Sequence, residues 1–321
     1  MSLKEKKQKI LITGCLGFIG SHLSEKLCQD GHEVFGIDWM KSSKDRKLIN
    51  KELLLKYENF NLIYGDIRLD LPEENFDVVF HLAALAGVRA SLDNPVITTD
   101  VNLGGTTNIF DWATRGFCSL IIYASSSSVY GVSTDLPFSE NATLSFPNSP
   151  YAASKIASEV MGSTYCRLFP IRSVGLRFFT VYGPRGREDM AIHKFLKWID
   201  SEEPVTFFGD GSSSRDYTYI DDIVDGIVKS SDFALNKMKD HDHEIFNLGN
   251  NSPVSLNELI SLIEKTVGKT AILNYLPDQK GDVPTTLADI SKPIKEINYN
   301  PKTSLDKGLE RTWDSIQKNM Y

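Results

Sequence analysis

The sequence predicts an α/β protein in which helices cover both faces of a doubly wound parallel sheet. Short apolar runs alternate with helical patterns along the chain, and a glycine-rich loop directly follows the first run. Alternation of this kind is typical of parallel sheets, whose binding sites lie beyond the carboxyl ends of the strands. The 321 residues leave room for a smaller C-terminal α/β lobe beside that sheet.

The first strand leads straight into the glycine loop. Ile10–Ile12 is an apolar run typical of a buried parallel strand, and residues 21–27 predict a helix. Strand, glycine loop and helix form the Rossmann arrangement, which holds a dinucleotide pyrophosphate at a helix N-terminus. Glycines also end strands for structural reasons, so the loop alone is a weak signal. The predicted cofactor contacts here are Gly14, Gly17, Phe18, Ile19 and Gly20.

The second predicted strand, Glu33–Asp38, ends in an acid. A carboxylate at Asp38 can bond both hydroxyls of an adenosine ribose and would repel a 2′-phosphate, so it favours NAD over NADP. The alternative is that Asp38 is merely a solvated acid at a strand end. The basic residues nearby, Lys41, Lys44 and Arg46, mean that NADP is not excluded. We therefore expect Asp38 to bind the cofactor and the cofactor to be NAD.

Further strands and helices continue the alternation. Strands are predicted at 60–65, 76–82, 119–125, 174–179 and 243–249, and helices at 101–115, 219–228, 255–268 and 305–317. Asp66, after the third strand, could contact adenine or could simply be solvated. The small residues Ala83 and Ala84, after the fourth strand, would let the backbone lie against a cofactor. These strand ends add Asp66, Ile67 and Ala83 to the predicted cofactor contacts.

Tyr151 and Lys155 form a Tyr-x-x-x-Lys pair on one face of a predicted helix. A phenol titrates near pH ~10, and a nearby ammonium favours its ionised form. The same ammonium can hold a nicotinamide ribose, and a serine across the site can bond a substrate hydroxyl; Ser126 is our choice from the run 125–128. Such pairs are common by chance, but after this glycine loop the pair predicts proton transfer beside a nicotinamide.

Charge and composition argue against a nucleic-acid-binding protein, a membrane protein and a secreted protein. A net charge of −7 gives no general nucleic-acid footprint, and no run approaches the roughly 18 apolar residues of a membrane span. The basic residues before Lys9 are not followed by a signal-peptide core. The four cysteines are scattered, which predicts buried thiols in a reducing cytoplasm and no metal site.

The chain resembles the extended short-chain dehydrogenase/reductase family, the NAD-dependent sugar-nucleotide epimerases and dehydratases, over nearly its whole length. The motifs that carry the resemblance are Gly14-x-x-Gly17-x-x-Gly20, His81-Leu-Ala-Ala, and the segments 123–131, 150–155, 176–184, 215–222 and 281–289. The subfamily it resembles most is UDP-glucuronate 4-epimerase, whose typical Ala-Gly-Val-Arg and Gly-Pro-x-Gly-Arg-x-Asp-Met-Ala strings are matched at 86–89 and 183–191. Leu85, where a glutamine is usual, and Arg185, where an aromatic residue is usual, depart from the pattern and bear on the sugar preference.

This resemblance implies epimerisation of a UDP-sugar at carbon 4 through a 4-keto intermediate, with UDP-glucuronate to UDP-galacturonate as the expected conversion. Tyr151 would act as base, helped by Lys155 and Ser126, while hydride leaves carbon 4 for a resident NAD and returns to the other face. Arg187 would grip the uronate carboxylate; a structural salt bridge is the alternative. The implied substrate contacts are Arg89, Ser127, Ser128, Thr180, Arg185, Arg187, Arg215 and Asp282.

The same resemblance implies how the chain is divided and assembled. Residues 1–177, with about 219–248, would form the NAD-binding domain, and 178–218 with 249–321 the UDP-sugar lobe. A homodimer is expected through the helices at 101–115 and 151–168, which pack as a bundle in relatives.

Three other functions stay open at this point. They are a UDP-glucose or UDP-N-acetylhexosamine 4-epimerase, an NAD(P)-dependent keto-sugar reductase, and a nonenzymatic dinucleotide sensor. Related decarboxylases and 4,6-dehydratases carry an acid just after the catalytic serine or threonine. Ser127 and Ser128 are neutral, which argues against proton removal at carbon 5.

Overall fold

The structure is a computed structural model that describes residues 6–40, 45–133, 135–144, 146–277 and 283–318. The strands are β1 Lys9–Thr13, β2 Glu33–Asp38, β3 Phe60–Tyr64, β4 Val78–His81, β5 Leu120–Ser126, β6 Arg172–Phe178, β7 Thr180–Tyr182, β8 Val205–Phe208, β9 Ser214–Tyr219, β10 His243–Leu248, β11 Pro253–Ser255 and β12 Leu273–Leu276. The helices are α1 Phe18–Gln29, α2 Asp45–Leu54, α3 Val88–Asp93, α4 Pro95–Thr99, α5 Gly105–Trp112, α6 Pro150–Leu168, α7 Ala191–Asp200, α8 Ile220–Lys237, α9 Leu256–Val267, α10 Ser291–Ile297 and α11 Leu305–Gln317.

The large sheet has seven strands in the order β10-β6-β5-β4-β1-β2-β3, and all of its pairings are parallel. The chain runs outward from β1 in one direction and then outward from β4 in the other. The strand order therefore reverses between β1 and β4, and a crevice opens there at the carboxyl ends. The predicted doubly wound Rossmann sheet is confirmed.

A hydrophobic core lies on each face of this sheet. Successive residues of a strand point to opposite faces, so neighbouring residues belong to different cores. Ile10 and Ile12 of β1 belong to the core that includes Leu23 of α1. Leu11, between them, belongs to the core on the other face, which includes Phe110 of α5. Apolar runs without alternation therefore form the strands, as the sequence predicted.

Two smaller sheets follow from the C-terminal half of the chain. β9 lies between β7, to which it is parallel, and β11, to which it is antiparallel, while β8 pairs with β12. α9 packs against α7 and α11 beside them. These elements account for the predicted smaller α/β lobe, while the proposed domain limits themselves stay a prediction.

Some predicted boundaries were wrong, and some elements were not predicted. α1 begins at Phe18, three residues before the predicted helix start, because the last glycine of the loop, Gly20, already belongs to its first turn. The helix predicted at 101–115 extends back to Pro95 and contains wide π turns at Asp100–Gly104 and Ala113–Phe117. α2, α7 and α10 were not predicted, whereas α9 and α11 match their predicted spans.

Other expectations concern membranes, metals and thiols. Within the described ranges, no helix has the length and apolar character needed to cross a membrane. The same ranges contain no group of three or more side chains placed to bind a metal ion. All four cysteines are buried and free.

Candidate active site

The glycine loop comes so close to other backbone that side chains would clash. Gly14 has a φ of +72°, and a Cβ there would lie 2.8 Å from a backbone nitrogen of the segment after β4. A Cβ on Gly20 would lie 2.1 Å from the carbonyl oxygen of Gly14. Gly17 is the N-cap of α1 and offers no side-chain hydrogen bond. The first N–H groups of α1, those of Phe18 and Ile19, lack partners within the helix and suit a pyrophosphate at its positive end.

Asp38 is buried at the end of β2, and both of its carboxylate oxygens are engaged. Oδ2 accepts a hydrogen bond of 2.9 Å from the backbone N–H of Leu16, in the glycine loop. Oδ1 lies 2.5 Å from Nζ of Lys47, on α2. The carboxylate thus connects the loop to α2 at the position where a Rossmann sheet binds an adenosine ribose.

Asp66, Ile67 and Ala83 lie at the ends of β3 and β4. Asp66 forms an ion pair with Arg68, at 2.5 Å between Oδ2 and Nη2, and this pairing holds the pKa of Asp66 below its ordinary value. Ile67 is buried, and the backbone N–H of Ala83 donates to Oγ1 of Thr13 at 3.1 Å. An adenine contact at Asp66 would therefore share a carboxylate that already binds a cation.

Tyr151, Lys155 and Ser126 come together at the carboxyl end of β5. Burial raises the pKa of Tyr151 above its ordinary value, while a hydrogen bond with Ser126 and the charge of Arg187 oppose that rise. Nζ of Lys155 lies 5.9 Å from the centre of the Tyr151 ring and donates to the carbonyl oxygen of Ala124 at 2.7 Å. Burial also lowers the pKa of Lys155 to about 8, against the charge of Glu159.

These pKa directions differ from the sequence-based expectation in one respect. We expected the ammonium of Lys155 to lower the pKa of Tyr151, but Arg187 is the cation that does so, and burial outweighs it. The reason is geometric: the ammonium is turned toward a backbone carbonyl at the end of β5. Arg187 therefore contributes to the protonation equilibrium of Tyr151.

Below Lys155 a buried ion pair fixes α6 to the sheet. Arg177 of β6 donates to both oxygens of Glu159, at 2.9 and 2.8 Å, and Ser125 donates to Oε1 at 2.5 Å. Arg177 also donates to the hydroxyl of Tyr130 at 2.9 Å. Both charged side chains are almost fully buried, so the network holds the helix that carries Tyr151 and Lys155 in one position.

A cavity of about 160 Å³ adjoins the serines that follow β5. It is lined by Val88, Ser127, Ser128, Gly131, Phe138, Asn148, Thr180, Arg215, Val283 and Thr286. Arg215 is the one charged residue among these described lining residues, and its Nη1 donates to the carbonyl oxygens of Ser214 at 2.8 Å and Pro284 at 3.3 Å. Carbonyls orient the guanidinium without cancelling its charge, so it can bind an anion.

Arg187 approaches the same region from the segment between β7 and α7. A Cβ on Gly87 would lie 3.1 Å from Nη2 of Arg187, so the guanidinium passes the loop after β4. Arg187 is paired with Asp189, at 3.0 and 2.5 Å, and the Asp189 side chain is 63% exposed. An ion pair this exposed is weak and can be exchanged for a buried carboxylate on a ligand.

Comparison with known proteins decides the family. Residues 10–249 match the NAD dependent epimerase/dehydratase family. The chain belongs to this family. It is 40% identical over 319 residues to UDP-glucuronate 4-epimerase of Thermodesulfobacterium geofontis, covering 97% of this chain and 96% of that protein. It is 44% identical over 317 residues to an uncharacterised protein of Methanocaldococcus jannaschii, covering 95% of each.

A solved structure gives the same answer. UDP-glucuronic acid 4-epimerase from Bacillus cereus, in complex with UDP-glucuronic acid and NAD, aligns with a TM-score of 0.89 at 37% identity. The alignment covers 97% of this chain and 99% of that chain. The predicted family and its NAD-dependent chemistry are thereby confirmed.

Within this family frame, three predicted substrate residues need comment. Arg185 is buried, and its Nη2 donates to Oε2 of Glu25 on α1 at 2.7 Å. Its predicted contact with the substrate stays a prediction, since the guanidinium is engaged by an acid on α1 in this structure. Arg89 is exposed and lies over the ring of Phe208, 5.8 Å from its centre. Asp282 lies outside the described residues.

Sequence reasoning missed several polar residues that shape this epimerase/dehydratase site. Asn102 clamps the segment after β4, since it accepts from Leu85 N at 2.7 Å and donates to Leu85 O at 3.1 Å. His81 is fully buried between Thr13 and Thr106, and burial lowers its pKa to about 3. A signal was present for Glu159, which continues the four-residue spacing of Tyr151 and Lys155. None was present for Lys47, because α2 was not predicted.

Proposed function

We propose that the protein interconverts UDP-glucuronate and UDP-galacturonate by epimerisation at carbon 4, with NAD as resident cofactor. One observation carries the choice of a uronate: the charge of Arg187 acts on Tyr151, and among the described residues the ion-pair partner of this guanidinium is Asp189, an exposed acid of its own loop. A neutral sugar would have no use for this cation at carbon 5. The fit of the glycine loop to a dinucleotide and the position of Asp38 support the cofactor.

Tyr151 is the proton-transfer residue. In its deprotonated form, the phenolate oxygen takes the proton from the 4-hydroxyl of the sugar, and the hydroxyl so formed gives it back; the hydrogen bond with Ser126 holds the Tyr151 oxygen in line. Lys155 is fixed by Ala124 and by the buried charge of Glu159, and it orders the ribose beside the tyrosine. NAD⁺, which the glycine loop and Asp38 would hold, would supply the hydride transfer from and to carbon 4.

Epimerisation requires the 4-keto sugar to turn over while its nucleotide stays in place. Arg215 supplies the firm hold on the diphosphate, because backbone carbonyls orient it and leave its charge intact. Ser127, Ser128 and Thr180 line the adjoining cavity with hydroxyls that can hydrogen-bond either epimer. Hydroxyl groups bond as donor or acceptor, so the same residues serve both orientations of the ring.

A uronate brings a second requirement, since a 4-keto uronate is a β-keto acid and loses carbon dioxide readily. The carbon 5–carbon 6 bond breaks most easily when it stands perpendicular to the carbonyl plane. A bidentate guanidinium such as Arg187 can hold the carboxylate away from that geometry. The described lining of the cavity contains no carboxylate that could remove the proton at carbon 5. Both features favour an epimerase over a decarboxylase or a dehydratase.

We also propose that the enzyme is a cytoplasmic homodimer. Four buried, unpaired thiols suit a reducing compartment. The solvent-facing side of the α4–α6 helices carries large apolar residues: Val96 is 82% exposed, Ile97 40% and Val160 59%. A cluster of this kind on packed helices is typical of a surface that a second copy covers.

The sugar assignment is tested with UDP-glucuronate and UDP-glucose, which differ only at the group on carbon 5. Purified protein without added cofactor should prefer the uronate, and Arg187→Ala should remove most of that preference. A charged hydrogen bond contributes about 1.5–3 kcal/mol, so the expected loss is roughly ten- to over a hundredfold in kcat/KM for the uronate. The variant should also release some UDP-4-keto-pentose, which mass spectrometry detects.

Arg115→Ala is the matched control. Arg115 is exposed, pairs weakly with Asp111 at 4.0 Å and follows α5, away from the carboxyl ends of the strands, so its loss should change neither sugar. Equal use of both sugars by the unmodified protein would contradict the uronate assignment. It would instead make Arg187 a loop anchor in a UDP-glucose or UDP-N-acetylhexosamine 4-epimerase.

A further inference from the structure

The segment between β7 and α7, residues 183–190, is held in an unusual backbone conformation. Arg185 has a φ of +56°, which a long side chain rarely adopts. Such a conformation persists only where the surroundings fix it. Two residues later the chain presents Arg187 to the active site. The geometry of Arg187 therefore depends on whatever holds residue 185 in place.

Two contacts from the cofactor half of the molecule hold this segment. Arg185 has only 6% of its side chain exposed, and its Nη2 donates to Oε2 of Glu25 on α1 at 2.7 Å. One residue further, the carbonyl oxygen of Gly186 accepts from Nη1 of Arg46 on α2 at 2.9 Å. A Cβ on Gly186 would lie 2.3 Å from the ring of His193, so this side chain of α7 packs directly against the turn.

We propose that the Glu25–Arg185 ion pair is a positioning element that aims Arg187 at the carboxylate of the sugar. The pair fixes the residue whose backbone reverses the chain, and Arg187 follows after one glycine. This inference rests on the proposed uronate specificity. It assigns to Glu25, a residue on the second turn of the pyrophosphate-facing helix, an effect on a sugar that it does not touch.

The same arrangement explains why an arginine can occupy position 185. Its guanidinium is buried against α1 rather than in the sugar cavity, so the charge adds no second ligand for the carboxylate. The charge of Arg185 also acts on Asp221 of α8, whose pKa burial raises while the charges of Arg311 and, more weakly, Arg185 oppose the rise. The hydrogen bond of the Arg185 guanidinium goes to Glu25.

The test measures binding rather than turnover. In the Tyr151→Phe background, with NAD bound, calorimetry gives the dissociation constants of UDP-glucuronate and UDP-glucose. Their ratio isolates the contribution of the carboxylate, which a general loss of structure does not change. Adding Glu25→Gln should reduce the ratio about three- to tenfold, with UDP-glucose affinity nearly unchanged. Arg185→Met should do the same, and combining the two should add little, because both remove one interaction.

Two further variants sharpen the result. Arg185→Lys keeps the charge and should restore part of the ratio, and it supplies the comparison if Glu25→Gln does not fold. Glu244→Gln is the matched control: Glu244 is paired with Lys292 at 2.7 Å, with similar exposure, at the amino end of β10. It should leave the ratio unchanged.

The outcomes separate this inference from the proposed function. A high ratio in the Tyr151→Phe parent that survives Glu25→Gln and Arg185→Met overturns the positioning role alone. Equal weakening of both nucleotides also overturns it, since it reveals a purely structural ion pair. A ratio near one already in the parent overturns the uronate assignment and, with it, the role of Glu25.

Discussion

Removing the charge of Asp38 should reverse the cofactor preference rather than merely relax it. Oδ1 of Asp38 lies 2.5 Å from Nζ of Lys47, so the ribose site that we propose at Asp38 contains a cation as well as an anion. Asp38→Asn keeps a side-chain oxygen for the backbone N–H of Leu16, which Oδ2 now accepts at 2.9 Å. The substitution therefore leaves the glycine loop ordered and frees the ammonium of Lys47 to meet a 2′-phosphate.

The magnitude follows from the burial of the pair. Only 5% of the Asp38 side chain and 22% of the Lys47 side chain are exposed, so solvent screens them little. The Asp38 carboxylate and a 2′-phosphate about 4 Å apart would repel each other by roughly 4 kcal/mol at an effective dielectric of about 20. That corresponds to roughly a thousandfold in affinity, and water at the rim reduces it to about a hundredfold. Asp38→Asn should shift the ratio of the NADP and NAD dissociation constants toward NADP by at least this factor.

The assay is calorimetric titration of NAD and NADP into protein stripped of resident cofactor, at low and high salt. Lys47→Met is the companion variant: it removes the compensating cation, and the ratio should move about tenfold further toward NAD. High salt should narrow both shifts. An unchanged ratio for Asp38→Asn would refute the assignment of Asp38 to the ribose. A shift toward NADP for Lys47→Met would show that its ammonium does not face the phosphate position.

Three other predictions test the catalytic and structural groups. Tyr151→Phe should lower turnover by at least ~10²-fold with UDP affinity nearly unchanged, as steady-state kinetics and calorimetry would show; near-native turnover would mean that another group transfers the proton. Glu159→Ala should destabilise the protein by about 3–5 kcal/mol in chemical denaturation, because it leaves Arg177 buried and unpaired, whereas Glu159→Leu with Arg177→Met should cost much less. The pKa of His81 is lowered to about 3, so its contribution to stability is complete above pH ~6.5 and is lost as the pH falls toward 3. Between pH 7.5 and 5.5 that loss is about 1.4 kcal/mol, and a His81→Asn variant should show a correspondingly smaller decrease; an equal decrease would contradict it.

The large sheet could be predicted because its signals are local. β1, β4 and β5 contain continuous apolar runs, and residues that we expect to bind follow the ends of these runs. β1 and the glycine loop occupy neighbouring positions in the sequence, and Ser126 is the last residue of β5. The periodicity of α9 and α11 was equally clear, since each has one buried face. Local patterns of this kind survive without knowledge of tertiary contacts.

The smaller sheets could not be predicted from local signals. β7 and β11 have three residues each, and β8 pairs with β12, which follows it by more than sixty residues. Strands this short have no diagnostic alternation and exist because a distant partner supplies their hydrogen bonds. α2 presents a similar difficulty, because its residues are mostly polar and its place is set by contacts with the glycine loop. Lys47 lies on α2, so its pairing with Asp38 was not predicted either.

The two departures from the subfamily pattern show how a site can tolerate changed side chains. At position 85 the structure uses the backbone: both the N–H and the carbonyl of Leu85 bond to the amide of Asn102, while the leucine side chain is 42% exposed. Any residue other than proline can keep that clamp, because it uses the backbone N–H and carbonyl. At position 185 the side chain instead turns away to Glu25, so the arginine contributes through the backbone direction that it fixes. Because the Leu85 backbone bonds Asn102 and the Arg185 guanidinium bonds Glu25, we assign the proposed carboxylate preference to Arg187. An aromatic residue at position 185 cannot form the ion pair with Glu25. Arg185→Phe should therefore preserve the uronate preference only if residue 185 keeps its positive φ without that ion pair. The two-sugar binding assay on this variant would decide the point.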